Sequence, residues 1–492
     1  MIVEKEQENS SDLARAAVKG ASWTYVAFYS GKLIVFISTI VLARLLTKSD
    51  FGIVGYALTI IGFLDTIKDL GINAALIYHK DDRVVNTAFW LNLATGTTLF
   101  AAIWFLAPFI GIFFNDERAV NVTRVLALSF PLGSLGATHE ALLIRDLAFN
   151  KKFIPEFAKA ISKGLVSITL AYSGFGPWSL IIGQLTGTFV AVVMLWNVVN
   201  WKPAFSFNRV FARSLLNFGL SMVAMNVVSV IAQDVDYLLI GRYLGAEAMG
   251  IYSLAFRIPE LVILQLCATV AQVIFPIFTK IRDDEEALRL GFLETARYVA
   301  LFTTPLGLGM ALLAGPFVLT FFGEKWSEVI PVMRAIAIYS FFISLGFNAG
   351  DVYKAQGRPI LLTYISILQV VILAPLMYWA VTGPANIIVA GWVQVFVAFV
   401  ISVVYLAVAL RMLKISLGML LKALKTPMVP AVFMVVAVLA VLYLSNEWAT
   451  WLQLVLGIVA GGSAYLLVLY WLERDVVVQA LQLLGRILKN RE

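Results

Sequence analysis

The chain has 492 residues, of which 61% are hydrophobic and only 14% charged, and it carries a formal net charge of +7. Soluble domains run at roughly 25% charged residues, so a soluble fold could not hide this much apolar surface. The class is a membrane protein, and the basic balance does not argue for nucleic acid once topology accounts for it.

Fourteen apolar runs follow one another along the chain, at 21–43, 51–72, 87–112, 119–143, 153–174, 177–199, 215–240, 249–277, 292–321, 329–349, 360–382, 385–410, 426–445 and 449–472. A helix needs roughly 18–20 apolar residues to cross a bilayer, and these runs are of that order. Backbone groups in hydrocarbon must be satisfied internally, which leaves helices or closed barrels. Continuous runs, rather than ten-residue segments of alternating hydrophobicity, exclude a barrel. The expectation is an all-α polytopic membrane protein of about fourteen transmembrane helices.

Punctuation between the runs divides the chain. A tail at 1–20 mixes acids and bases and leads into a full-length span with no small-residue cleavage site, so the first helix reads as retained and not as a signal peptide. A six-helix lobe at 21–199, a cytoplasmic linker at 200–214 and a second six-helix lobe at 215–410 follow. A basic linker at 411–425 then precedes helices 13 and 14 at 426–472 and a tail at 473–492. Between Pro427 and Leu472 there is no Lys, Arg or Asp. These last two helices are expected to face lipid or another helix, not a polar path.

The chain also repeats itself. ARLLTKSDFGIVGYA around Arg44 matches GRYLGAEAMGIYSLA around Arg242, pairing Arg44 with Arg242, Leu46 with Leu244, Gly52 with Gly250 and Ile53 with Ile251 at an offset of 198. APFIGIFF (107–114) matches GPFVLTFF (315–322) at an offset of 208. The matches fall at Arg, Gly and Pro, not at the Leu and Val that all apolar helices share, which argues for duplication over chance. Two homologous helical halves are the usual architecture of a transporter that alternates access around a central site.

With the N-terminus placed in the cytoplasm, the tails and even-to-odd connections hold 24 Lys and Arg, against five on the opposite side: Arg44, Lys48, Arg118, Arg242 and Lys325. This is a positive-inside pattern with both termini cytoplasmic. Most tryptophans, among them Trp23, Trp90, Trp178, Trp201, Trp326, Trp448, Trp451 and Trp471, lie near span ends as interfacial anchors. Cys267 is the single cysteine and only His79 and His139 accompany it, so no metal-ligand cluster is expected. Connections are short, with no nucleotide-binding glycine loop and no Ser/His/Asp or zinc arrangement. No catalytic residues are expected: transport without chemistry is the simpler account, and a membrane glycan polymerase or ligase would usually carry a large outer loop.

Ionisable residues inside spans carry the information, because each costs roughly 2.5–3.5 kcal/mol or more at mid-bilayer unless it meets water or a partner. Eight cations lie there: Lys32, Lys68, Arg124, Lys159, Lys163, Arg257, Arg297 and Arg334. Lys32 sits near the middle of the first span beside Tyr29, Ser30 and Gly31, either facing a wet cavity or bridging to Asp65. Asp65, Lys68 and Asp69 share one face of the second span and can pair along the helix. Arg257 and Glu260 bracket Pro259, where a kink is expected. Lys159 and Lys163 form either a ladder with Glu156 or a substrate contact. Arg297 can pair with Glu294, and Arg124 and Arg334 can snorkel to the interface. Asp234 and Asp236 can pair with Arg242 or bind a cation. The excess of cations suggests an anionic cargo, and phosphate or pyrophosphate suits Arg and Lys best.

Five stretches carry a resemblance. VLARLLTKSDFGIVGYALTIIGFLDTIKDLGI (41–72), RDLAFNKKF (145–153), GRYLGAEAMGIYSLAFRI (241–258), FPIFTKIRDDEEALR (275–289) and FFGEKWSEVIP (321–331) resemble the Wzx-type flippases of the polysaccharide-transport family. That family belongs to the multidrug/oligosaccharidyl-lipid/polysaccharide superfamily, and the last three stretches are most similar to colanic acid and teichuronic acid exporters. The resemblance implies two six-helix bundles around a cavity plus two C-terminal helices. It implies translocation of an undecaprenyl-pyrophosphate-linked oligosaccharide to the outer leaflet of a bacterial inner membrane, for polysaccharide or lipopolysaccharide biosynthesis. A polymerase and copolymerase would be partners, and no cofactor is implied beyond H+ or Na+ coupling. In the family picture helices 1, 2, 7 and 8 line the cavity, which carries over to Lys32, Asp65, Lys68, Asp234 and Arg257. Relatives that flip the peptidoglycan precursor concentrate arginines on helices 1, 2 and 8; here helix 1 offers a Lys, and helix 2 an Asp beside its Lys. Lys32, Lys68 and Arg257 are the expected substrate cations, with Lys159, Lys163, Arg297 and Arg334 in either a substrate or a structural role. Asp65, Asp69, Asp234, Asp236 and Glu260 are the candidates for ion coupling. A drug–cation antiporter of the same superfamily would be expected to have twelve spans and an acid-dominated cavity.

Overall fold

The computed structural model describes residues 30–68, 82–146 and 148–474, with Ile72 and Leu76. Asp69 lies outside them. All regular structure among the described residues is helical, and nine helices there are long and apolar enough to cross a membrane. The protein is an all-α polytopic membrane protein.

Helices fall on every expected span. Residues 30–45 form the described part of the first, and Lys48–Lys68, Asp82–Phe114, Phe149–Tyr172 and Pro177–Val198 cover spans 2, 3, 5 and 6. Span 4 is two helices, Arg118–Leu126 and Ser129–Arg145, separated at Ala127–Leu128. The helix Arg209–Pro259 covers span 7 and the start of span 8, and it is broken at Gly245, whose φ of 83° is left-handed backbone that glycine adopts without steric cost. Span 8 continues through a π turn, Glu260–Leu264, into Gln265–Lys280. Glu285–Phe321, Val329–Gly346, Ile360–Thr382, Ile387–Met412, Leu417–Leu444 and Thr450–Leu472 cover spans 9 to 14, with a short extra helix at Ala349–Ala355.

Several helix starts are written locally. The Asp284 carboxylate accepts from the Glu286 and Ala287 N–H groups, with Glu285 and Glu286 in the first turn to complement the helix dipole. Asn386 and Ser416 cap their helices in the same way, accepting from Ile388 and Met419.

The residues gather into two compact units, Met1–Gly250 and Ile251–Glu492. In the first, Ile53, Val54, Ala57 and Ile61 of span 2 bury against Ile103 of span 3, Val122, Leu126 and Phe130 of span 4 and Ile181 of span 6. In the second, helices 13 and 14 pack on each other and on span 9: Ala431, Met434, Val438, Leu454, Tyr465 and Leu469 enclose Leu301 and Leu313, and the Tyr465 hydroxyl donates to the Leu301 carbonyl at 3.0 Å. Their other faces expose Phe433, Val436, Leu439, Leu466 and Leu467. The expected packing against another helix holds on one face.

Candidate functional site

In the first unit, span 1 crosses span 5 where Gly164 lacks a side chain; Ser38 sits where a Cβ would be, and the Ile34 methyl lies 3.9 Å from that position. Small residues at such crossings let apolar helices approach closely. Both spans are odd-numbered and share a direction. Lys32 stands six residues before Ser38 and Lys159 five residues before Gly164, so a rise of about 1.5 Å per residue puts them at about the same depth. Span 5 in turn lies on span 6 at Gly187, whose Cβ position is 3.0 Å from both the Lys159 carbonyl oxygen and the Lys163 Cβ. Lys32 and Lys163 are half-buried and Lys159 is exposed.

The expected ladder of Lys159 and Lys163 with Glu156 is not what forms. Glu156 pairs with Lys152 at 3.6 Å, and Lys152 also meets Glu140 at 2.9 Å, tying spans 4 and 5 together near the turn that joins them. Burial works against the Lys152 ammonium, but the two carboxylates outweigh it and its pKa is raised. Lys159 and Arg334 take part in no side-chain hydrogen bond or ion pair among the described residues.

Lys68 pairs along its own helix with Asp65 at 2.7 Å and lies 5.6 Å from the centroid of the Phe130 ring of span 4. The i, i+3 spacing alone foretold this. Arg124 is held against span 3, its Nε donating to the Trp104 carbonyl at 3.1 Å and its guanidinium over the Trp104 ring. Asp234 is half-buried; Asp236 is buried and accepts from the Tyr237 N–H at 2.9 Å. Arg242 does not pair with either. It donates to the Ile112 carbonyl (3.0 Å), the Phe113 carbonyl (2.6 Å) and Asn115 Oδ1 (2.8 Å), satisfying the carbonyls that the end of span 3 leaves open.

In the second unit, Arg257 and Glu260 approach to 3.9 Å around Pro259. The irregularity there is a π turn, which begins at Glu260 directly after the proline that supplies no N–H. Arg297 meets Glu294 at 3.6 Å and, more closely, Glu473 at 2.9 Å; Thr426 donates to the same Glu473 carboxylate at 3.1 Å. That network links span 9 to the start of span 13 and the end of span 14. Arg334 is exposed beside Gly315, 3.8 Å from where a Cβ would stand.

A model of the polysaccharide biosynthesis protein family matches residues 41–331, more than half of the chain. The chain belongs to that family. It is 27% identical over 469 residues to the teichuronic acid biosynthesis protein TuaB of Bacillus subtilis, covering 93% of this chain and 96% of the relative. It is 27% identical over 352 residues to the lipopolysaccharide biosynthesis protein WzxC of Escherichia coli, covering 70% and 71%. Among solved structures, the lipid II flippase MurJ in an inward closed conformation superposes with a TM-score of 0.75 at 16% identity, over 92% of this chain and 99% of that one. An inward-facing MATE multidrug transporter of the MOP superfamily gives 0.63 at 15% identity, over 80% and 95%. At such identities the likeness is one of fold.

Arg242, expected to pair with Asp234 or Asp236, instead meets the end of span 3, and the Lys152–Glu140 and Arg297–Glu473 pairs likewise join different helices. Of the candidate substrate cations, Lys68, Arg257 and Arg297 are met by carboxylates, whereas Lys159 and Arg334 take part in no ion pair among the described residues.

Proposed function

We propose that the chain is a flippase that carries an undecaprenyl-pyrophosphate-linked oligosaccharide from the cytoplasmic to the outer leaflet of a bacterial inner membrane by alternating access. The observation that carries this reading is the nearly end-to-end likeness to a teichuronic acid biosynthesis protein on a fold shared with a lipid II flippase. Lys32 and Lys159, level with each other on adjoining helices, and Arg257 from the second repeat supply charge for the pyrophosphate. The polyprenyl tail stays in lipid while lobes 21–199 and 215–410 rock about the head group. Both termini lie in the cytoplasm, and Asp65, Asp234, Asp236 and Glu260 are the acids through which a proton or sodium gradient would act. A polymerase that consumes the delivered unit is the natural partner.

Lys32→Ala and Arg257→Ala test the reading. A charge-assisted contact is worth about 1.5–3 kcal/mol, so each variant should lower export of a labelled lipid-linked glycan by roughly tenfold to a hundredfold at unchanged protein level. Export at the parental rate in both variants would overturn the site.

A further inference from the structure

The internal repeat extends to spans 4 and 10. At an offset of 210, Val122, Arg124, Ala127, Ser134, Leu135 and Gly136 recur as Val332, Arg334, Ala337, Ser344, Leu345 and Gly346, which makes Arg124 and Arg334 equivalent. Each lies against a helix with an equivalent internal proline, Pro108 of span 3 and Pro316 of span 9. Proline has no N–H, so the carbonyl four residues earlier loses its helical donor. That carbonyl belongs to Trp104 in the first copy and to Leu312 in the second.

The two arginines treat this gap differently. Arg124 fills it: its Nε donates to the Trp104 carbonyl at 3.1 Å, and its guanidinium sits 5.3 Å from the centroid of the Trp104 ring. In the second copy the indole is replaced by Leu312, and Arg334 makes no side-chain hydrogen bond or ion pair among the described residues. Its Nη2 rests 3.8 Å from where a Cβ of Gly315 would stand, and the side chain is exposed. Where the first copy has Ala107, Gly315 leaves room beside the fork.

Other sides of span 10 are covered. Gly307 of span 9 admits Phe341, Gly391 of span 12 admits Ala335, and Tyr339 meets Phe256 of span 8 edge-on at 5.5 Å. At about 100° per residue, Arg334 is turned about 140° from Tyr339, away from span 8 and the cavity it is expected to line. The side chain therefore opens toward lipid. It stands five residues inside span 10, about 8 Å of helix, a depth that an arginine covers by snorkelling to the headgroups. A charge in hydrocarbon with no protein partner needs one from the bilayer, and a guanidinium fork matches phosphate.

We propose that Arg334, beside Gly315, seats the phosphate of a bilayer phospholipid, in the outer leaflet by the topology above, while its counterpart Arg124 is committed to the protein. The proposal needs no cargo and does not rest on the transport reading, so either can fail alone.

The purified full-length protein, stripped of lipid and titrated with phosphatidylglycerol, should show by native mass spectrometry a bound lipid whose affinity falls tenfold to a hundredfold in Arg334→Gln, the loss of one charge-assisted contact. Arg334→Lys, which keeps the charge without the fork, should recover part of it, and Arg124→Gln should leave it unchanged. Diacylglycerol, which lacks the phosphate, should bind parent and Arg334→Gln alike. In vesicles, a phosphatidylglycerol with a photoreactive group next to its headgroup should attach to residues around Gly315 and Arg334. Parental affinity in Arg334→Gln, or attachment only elsewhere, would overturn the seat. Displacement of the bound lipid by an equal concentration of inorganic phosphate or of undecaprenyl phosphate would also overturn it, assigning the arginine to a free anion or to the cargo's lipid.

Discussion

The two copies of the repeated turn differ in backbone and in chemistry, left-handed at Gly245 but not at its equivalent Thr47. In the first, Thr47 and Asp50 form a reciprocal cap: the Thr47 N–H and hydroxyl donate to Asp50 Oδ2 at 2.9 and 2.7 Å, and the Asp50 N–H donates back to Thr47 Oγ1 at 3.2 Å. In the second, the equivalents are Gly245 and Ala248, and the turn is made by the left-handed conformation of Gly245 alone. What both copies keep is the glycine one turn further on, Gly52 and Gly250, where a Cβ would overlap the Ala246 carbonyl oxygen in one and the Lys48 carbonyl oxygen in the other. The turn can thus be built from side chains or from backbone freedom, whereas the close approach that follows it admits only one residue type.

The strongest way to break this comparison is to fill the shared position. Gly52→Val and Gly250→Val each drive atoms into a carbonyl that cannot swing away, and overpacking of this kind costs about 1–3 kcal/mol per site. The double variant should show the largest fall in thermal midpoint in detergent. Arg242→Ala comes next: it leaves three acceptors at the end of span 3 without their charged donor, a loss of about 1.5–3 kcal/mol once discounted little for a group that is only partly exposed. The smallest effects should sharpen the contrast between the copies. Thr47→Ala removes a cap worth about 1 kcal/mol, and Gly245→Ala forces a Cβ into left-handed backbone at a cost of about 1–2 kcal/mol. Thr47→Gly should be nearly neutral, because glycine replaces a cap at a cost of only a few tenths. A thermal midpoint for Thr47→Gly as low as that of Thr47→Ala would contradict the equivalence of the two turns.

Much of the fold was legible because membrane spans are the loudest signal in a sequence: fourteen apolar runs were expected, and helices fall on all of them. The interruptions were less legible. Span 4 divides at Ala127–Leu128, just before Pro131 in the first turn of its second helix, and span 10 is followed by a separate turn of helix at Ala349–Ala355 with no proline to announce it. At Pro259 the sequence did announce one, and a π turn follows it. Charge pairing divided along the same line. Asp65–Lys68 and Glu294–Arg297 were visible because three residues along a helix is one face. The Arg242 contact with Ile112, 130 residues away, and the Arg297 contact with Glu473 depend on which helices pack together, which apolar periodicity in a bilayer does not encode. Glu156, expected beside Lys159, pairs instead with Lys152 four residues before it on the same helix, where Glu140 of span 4 also holds Lys152.

The central claim is that the chain moves a lipid-linked oligosaccharide between leaflets, and it is tested most directly by reconstituting the purified full-length protein into vesicles with a fluorescent undecaprenyl-pyrophosphate oligosaccharide. Leaflet accessibility is then followed by quenching from outside. The account predicts protein-dependent movement that falls at least tenfold in Lys32→Gln, the loss of one charge-assisted contact. No movement in the parental protein, with or without an imposed ion gradient, would contradict it.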